Sequence, residues 1–120
     1  MIIDSLEDLA KLRLENPDRK IVMLSGAFDL FHQGHLDFVE SAKARGDILV
    51  VCITSDGSLG IGKGMGRPII QQQARANIVD AIRYVDYTFV NSPVRSDNFE
   101  NWPGYHLRPD LIISGDRRWY

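Results

Sequence analysis

Two histidines set three residues apart, His32 and His35, stand where an apolar strand pattern gives way to a helical one. They close the stretch Leu24-Ser25-Gly26-Ala27-Phe28-Asp29-Leu30-Phe31-His32-Gln33-Gly34-His35. Imidazoles at that spacing share one face of a helix's first turn. The free backbone N–H groups and the positive end of the helix dipole point to the same place. Such a place takes an anion, and phosphate is the first candidate. The imidazoles add directed donors for phosphate oxygens that gain charge during phosphoryl or nucleotidyl transfer. Two other readings stand beside this one. The histidines could be ordinary surface residues, or two ligands of a zinc site. A zinc site needs a third ligand from His106, Cys52 or a carboxylate, none at a telling spacing. Phe28 and Phe31 could both be plain core residues, and Phe31 suits that role better.

The flanking patterns say what must hold the pair. Ile21 to Leu24 is an unbroken apolar run, as in a strand buried on both faces. Ser25 and Gly26 end it, and Gly26 permits a sharp turn and close approach of a ligand. From about Gly34, Leu36, Val39 and Ala42-Lys43 recur at helical steps, and Arg45-Gly46 closes that helix. Upstream, Asp4 to Leu14 predicts a helix capped by Asp4 or Ser5, with Glu7 and Asp8 in its first turn. Its apolar face is Leu6, Leu9, Ala10 and Leu14, and Asn16-Pro17-Asp18 ends it. It packs beside the sheet and carries no chemistry.

Downstream, Ile48 to Ile53 predicts a second buried strand, ending at Thr54-Ser55-Asp56-Gly57. Ligands bind at such carboxyl ends, so Asp56 is either a substrate contact or a plain helix cap. Gly60 to Pro68 has four glycines and two cations, which suits phosphate, although an ordinary surface loop has the same look. It is not a Walker A loop, since no Ser or Thr follows Lys63. Ile70 to Ile82 predicts a helix burying Ala74, Ile78, Val79, Ala81 and Ile82, with Arg75 in its second turn. Val85 to Val90 is a third strand. Pro93 and Pro103 bracket a helix containing Phe99 and Trp102, which Pro103-Gly104 breaks early. Asp110 to Ile113 is a fourth strand, ending in Ser114-Gly115-Asp116. Strands alternating with helices predict an α/β fold: a Rossmann-like, doubly wound parallel sheet in three α/β/α layers with right-handed crossovers.

Composition bounds the function. At 120 residues the chain is one domain, 1–120, and 44% hydrophobic residues suffice for one core. The net charge of −2, without a basic stripe, argues against nucleic acid as a partner. The single cysteine, Cys52, lies in an apolar run and reads as a reduced core residue. No apolar stretch approaches a membrane span, and Asp4, Glu7 and Asp8 stand where a signal peptide would be basic and then apolar. A cytoplasmic location is expected.

Gly26-Ala27-Phe28-Asp29-Leu30-Phe31-His32-Gln33-Gly34-His35 resembles the G-x-F-D-x-x-H-x-G-H signature of the cytidylyltransferase-like nucleotidyltransferases. Lys63-Gly64-Met65-Gly66-Arg67-Pro68-Ile69 is similar to the K-G-x-G-R-P-I segment of the heptose-phosphate adenylyltransferases in that family. Leu107-Arg108-Pro109-Asp110 is similar to their L-R-P-D segment, and Ile82-Arg83-Tyr84-Val85-Asp86 also looks like glycerol-3-phosphate cytidylyltransferase. The resemblance implies site roles. His32 and His35 would be donors to the transferring phosphate and to the pyrophosphate leaving group. Lys63 and Arg75, the arginine seven before Ile82, would contact the nucleotide phosphates. Gly26, Ala27, Phe28 and Asp29 would form the floor beside Gly34, and Gly115 and Asp116 would lie near base and ribose. Ala27 departs from the threonine or cysteine usual there, so it could donate only its N–H.

The implied reaction transfers a nucleoside monophosphate from ATP or CTP to a phosphorylated acceptor, a sugar phosphate or glycerol 3-phosphate, and releases pyrophosphate. Mg²⁺ is implied, held mainly through nucleotide phosphates, with no protein ligand. A flavin mononucleotide (FMN) adenylyltransferase is an alternative. The family's second signature, of the type I-S-T-T or C-S-T-T, is absent before Tyr120. A C-terminal truncation, a catalytically incomplete nucleotide-binding module, or one unit of a bifunctional enzyme would each account for that. A truncated edge would leave apolar surface for another subunit to cover, as in a homodimer. His35→Ala is expected to lose about 10²–10³ in rate with little change in folding stability.

Overall fold

Side chains alternate across a strand, and both apolar strands at the centre of this chain use both faces. The computed structural model describes residues 1–54, 71–91 and 102–114. In β2 (Ile21–Gly26), Ile21 and Met23 face one layer while Val22 and Leu24 face the other. In β3 (Ile48–Thr54), Ile48, Val50 and Cys52 alternate in the same way with Leu49, Val51 and Ile53. One layer is closed by α2 (Gln33–Lys43), through Val39 and Ala42, and by α3 (Gln72–Asp80), through Ala76 and Val79. The other is closed by α1 (Leu6–Glu15), through Leu9 and Leu12, and by Leu107 of α4 (Pro103–Leu107). This is the expected three-layer α/β arrangement.

The sheet order is β1-β4-β3-β2-β5, with β1 at Ile2–Ile3, β4 at Tyr87–Asn91 and β5 at Leu111–Ser114, and every pairing is parallel. From β2 the chain steps to β3 and β4 on one side, then returns to place β5 on the other. The connections therefore part at the carboxyl ends of β2 and β5, where Ser25 pairs with Ser114. Open α/β sheets bind ligands at that kind of switch point.

Several local expectations need correction. Strand β1 is two residues long, too short to show a period, and the sequence reading missed it. Pro103 opens a helix after the extended Trp102, because at the first helical position its missing N–H is no loss; the helix expected through Phe99 lies outside the described residues. Arg108, at φ 51°, then ends α4 in a left-handed turn. Phe99 and Pro93 lie outside the described residues. The buried face of α1 runs through Leu9 and Leu12, and Leu14 is 79% exposed. In α3 the buried residues are Arg75, Ala76 and Val79, while Ile78 is 42% exposed and Ala74 and Ala81 face solvent. That helix is rotated from the apolar reading because an arginine, not an alanine, points inward.

Candidate active site

The loop after β2 is short and conformationally costly. Phe28 (φ 53°) and Leu30 (φ 56°) both adopt left-handed backbone without being glycine. Such residues cost on the order of 1–3 kcal/mol each and persist only where their surroundings over-determine them. Here three contacts do so. The Phe28 ring is buried in the core. Arg75 Nη1 donates to the Ala27 carbonyl at 2.7 Å. Thr54 Oγ1 at the end of β3 reaches the Gly26 carbonyl at 3.4 Å. Arg75 is 0% exposed. It is therefore no solvated helix arginine; its charge lies on the buried side of the loop.

The loop delivers His32 to the N-cap of α2 and His35 to the third helical position. The Gly34 N–H donates to His32 Nδ1 at 3.0 Å, and the His32 N–H donates to His35 Nδ1 at 3.1 Å. This is a reciprocal capping box, normally built by Ser or Thr with Glu or Gln, made here by two imidazoles. The rings stack with centroids 3.9 Å apart and planes 27° apart. Phe28 meets His35 edge-on at 5.6 Å, and Phe31 lies 5.1 Å from it. Of the two phenylalanines it is Phe28 that is fully in the core, whereas Phe31 packs only partly against it and also walls the second histidine. Burial, with the neighbouring His32, pushes the His35 pKa below its ordinary 6.5. A Cβ at Gly34 would sit 2.9 Å from His32 Cε1 and 3.1 Å from Nδ1, so the ring occupies the space that a side chain would need.

The start of α2 also lacks acids. Its first turn has none, whereas α1 has Ser5 as its cap, with Glu7 and Asp8 behind it. An N-terminus without carboxylates keeps its positive end for a ligand.

His32, His35, Gly34, Gly26, Ala27, Phe28 and Asp29 are thus brought together, with Arg75 behind them. Lys63, Asp56, Gly115 and Asp116 lie outside the described residues. Among the described residues, no group of three His, Cys, Asp or Glu side chains could hold a metal ion, and both Nδ1 atoms already accept backbone N–H groups. His106 lies on α4, in the opposite layer, against Tyr105. Cys52 is buried with its thiol pushed up to about 12, so it is a core residue. Sequence reasoning missed the capping role of the histidines and the carbonyl that Arg75 holds. The three-residue spacing before an apolar helical run was the available signal for the first.

The family model for cytidylyltransferase-like proteins matches residues 23–118. The chain belongs to the cytidylyltransferase-like family. Among curated proteins, this cytidylyltransferase-like chain is similar to the bifunctional protein HldE of Desulfatibacillum aliphaticivorans, 35% identical over 102 residues, covering 85% of this chain and 20% of that protein. It is also similar to HldE of Campylobacter jejuni subsp. jejuni serotype O:6, 36% identical over 116 residues, covering 94% of this chain and 23% of that protein. The chain therefore spans about a fifth of the length of these curated relatives. Among solved structures, the lipopolysaccharide core biosynthesis protein of Thermoplasma volcanium superposes with a TM-score of 0.68 at 26% identity, over 78% of this chain and 72% of that one. Pantoate-beta-alanine ligase of Francisella tularensis shares the fold, with a TM-score of 0.56 at 20% identity over 78% and 36% of the two chains. No helix among the described residues is long and apolar enough to cross a membrane.

Proposed function

We propose that this domain transfers a nucleoside monophosphate from ATP or CTP to a phosphorylated small molecule, with release of pyrophosphate. The observation that carries this is the imidazole capping box: two ring donors and a helix N-terminus converge at the switch point, with no acid in the first turn. An oxygen of the acceptor phosphate forms a bond to the α-phosphorus. The bridge between the α- and β-phosphates breaks, and its electron pair leaves with pyrophosphate. A phosphate monoester is mostly dianionic at neutral pH, its second pKa being about 6, so no general base is required. Placement and charge stabilisation then do the catalysis. His32 and His35 would donate from Nε2 to the transferring phosphate and the leaving pyrophosphate. Gly26 to Asp29, with Gly34, would floor the pocket. Lys63 would neutralise the triphosphate directly, and Arg75 from behind the loop. Gly115 and Asp116 would approach base and ribose, and Asp56 the acceptor. Mg²⁺ would be held mainly by nucleotide phosphate oxygens.

A sugar phosphate is the acceptor we favour, supported by the similarity to HldE proteins and to the lipopolysaccharide core biosynthesis protein. A cytoplasmic location fits a free, buried cysteine. A second reading, one unit of a longer bifunctional chain, is supported by the small share of the HldE proteins that this chain covers. The test is pyrophosphate release with Mg²⁺ and either nucleotide against a panel of phosphorylated acceptors, beside His35→Ala. Release that needs both an acceptor and His35 is the expected result. Nucleotide binding without release, whatever the acceptor, would leave a binding module instead.

A further inference from the structure

We propose that the α2 cap holds His32 and His35 as neutral Nε2–H tautomers, and that Gly34 is the positioning residue that makes this possible. The inference rests on the nucleotidyl-transfer reading for its catalytic meaning, but the tautomer itself is a property of the free protein.

Each Nδ1 accepts a backbone N–H: His32 from Gly34 and His35 from His32. A ring nitrogen that accepts a hydrogen bond carries no proton, so in the neutral ring the proton is on the other nitrogen. Nε2 lies across the ring from Nδ1, on the edge that the backbone donor does not occupy. Both imidazoles thus present an N–H on that edge without being charged. An imidazolium would need a proton on Nδ1, where each ring faces a backbone donor. The rings also stack at 3.9 Å, where two positive charges would repel. Two of the charged groups on the surrounding elements are engaged with other partners. Asp29 lies in the same loop, Asp37 on α2 accepts from Gln33 at 2.8 Å, and Arg75 on α3 donates to Ala27. The apolar walls, Phe28 and Phe31, favour the uncharged ring. Gly34 enters twice: its N–H makes the first bond, and its missing Cβ leaves room for the ring that accepts it.

The site would therefore work with neutral donors over a wide pH range. If imidazolium were the working form, the rate would fall about tenfold per unit once the pH exceeded the histidine pKa. The first test is nitrogen-15 NMR of the imidazoles in the whole chain without ligand. Both rings are expected as the Nε2–H tautomer, and an Nδ1–H tautomer at either ring would overturn the proposal. That result stands whether or not any acceptor is turned over. The second is Gly34→Ala, in which the His32 ring must shift. An Nδ1–H fraction should appear there, with pyrophosphate release falling by about tenfold or more in kcat. If this variant does not fold, His32→Asn serves in its place. Asparagine is a good N-cap, so His35 should keep its Nε2–H tautomer, and a loss of that tautomer counts against the cap as its cause. In the active wild-type protein, release should stay level from about pH 7 to about pH 9. A steady fall over that range would show that imidazolium is the donor and overturn the proposal.

Discussion

The two ends of the sheet meet the same problem, exposed backbone N–H groups, with different side chains. At the amino end the acceptors are carboxylates. Asp47 Oδ2 accepts from the Lys20 N–H, Asp86 Oδ2 from the Leu49 N–H and Asp110 Oδ2 from the Ile21 N–H, each at 2.8 Å. Lys43 Nζ adds a donor to Asp86 at 2.8 Å, and Arg13 Nη1 one to Asp110 at 3.2 Å. Each aspartate just precedes one strand and ties down its neighbour, so that end is closed and its charge is spent internally. At the carboxyl end the acceptors are imidazoles. A neutral ring caps as an acceptor on one edge and remains a donor on the other. A carboxylate in that place would cap as well and would repel a phosphate. The lesson is that a helix start can be stabilised without using up its attraction for an anion, provided the capping group is uncharged.

That contrast can be broken most sharply at His35. His35→Ala should lower pyrophosphate release about 10²–10³-fold. The structure revises the expectation of unchanged stability, because the ring also accepts the His32 N–H and packs against Phe28 and Phe31. A loss of about 1 kcal/mol in denaturant melts should accompany the rate loss. His35→Gln restores the ordinary capping-box residue, so it should recover most of that stability but little of the rate. A glutamine variant as active as the wild type would erase the distinction between the two ends.

A change at the other end should do the reverse. Asp86→Ala leaves the Leu49 N–H and Lys43 without their acceptor and should cost about 1–3 kcal/mol in urea unfolding. Its kcat should match the wild type below the melting range, since nothing at the carboxyl end is touched. The smallest effect sharpens the comparison through acid. The His35 pKa is below 6.5 in the folded chain, so the unfolded chain takes up the proton first. Its contribution to stability is complete above about pH 6.5 and is lost as the pH falls below that value. The Asp110 carboxyl is held below its ordinary 3.8, by the Ile21 N–H first and Arg13 second. Its contribution is complete above that value and is lost only in stronger acid. Amide exchange followed during acidification should therefore release the His32 amide, held by His35, well before the Ile21 amide, held by Asp110.

What the sequence made legible follows from what repeats locally. The solid runs in β2 and β3 and the Ser5 cap announce themselves by period or residue type. The glycine, Phe-Asp and histidine pattern marked the candidate site before any geometry was known. Arg75 shows where that legibility stops. Apolar periodicity placed Ala74 and Ile78 inward, but a carbonyl on the loop after β2 drew the arginine in and rotated the helix. That partner lies 48 positions away, so no local window contains it. The left-handed Phe28 and Leu30 were hidden for the same reason: neither residue type advertises that backbone.

The sheet order also sets an assembly sequence. Strands β2 and β3 meet across 27 positions at the Lys20–Asp47 bond, whereas β2 and β5 meet across 89 at the Ile21–Asp110 bond. Closing the longer loop costs more chain entropy, and non-local pairing is slow. The crevice between β2 and β5, like the β1–β4 pairing of Ile2 with Thr88, is therefore expected among the last parts of the sheet to form as the protein folds. A folding chain passes through a stage in which α2 and its histidines are built and the far wall of their site is not, so nucleotide affinity should arrive later than most of the secondary structure.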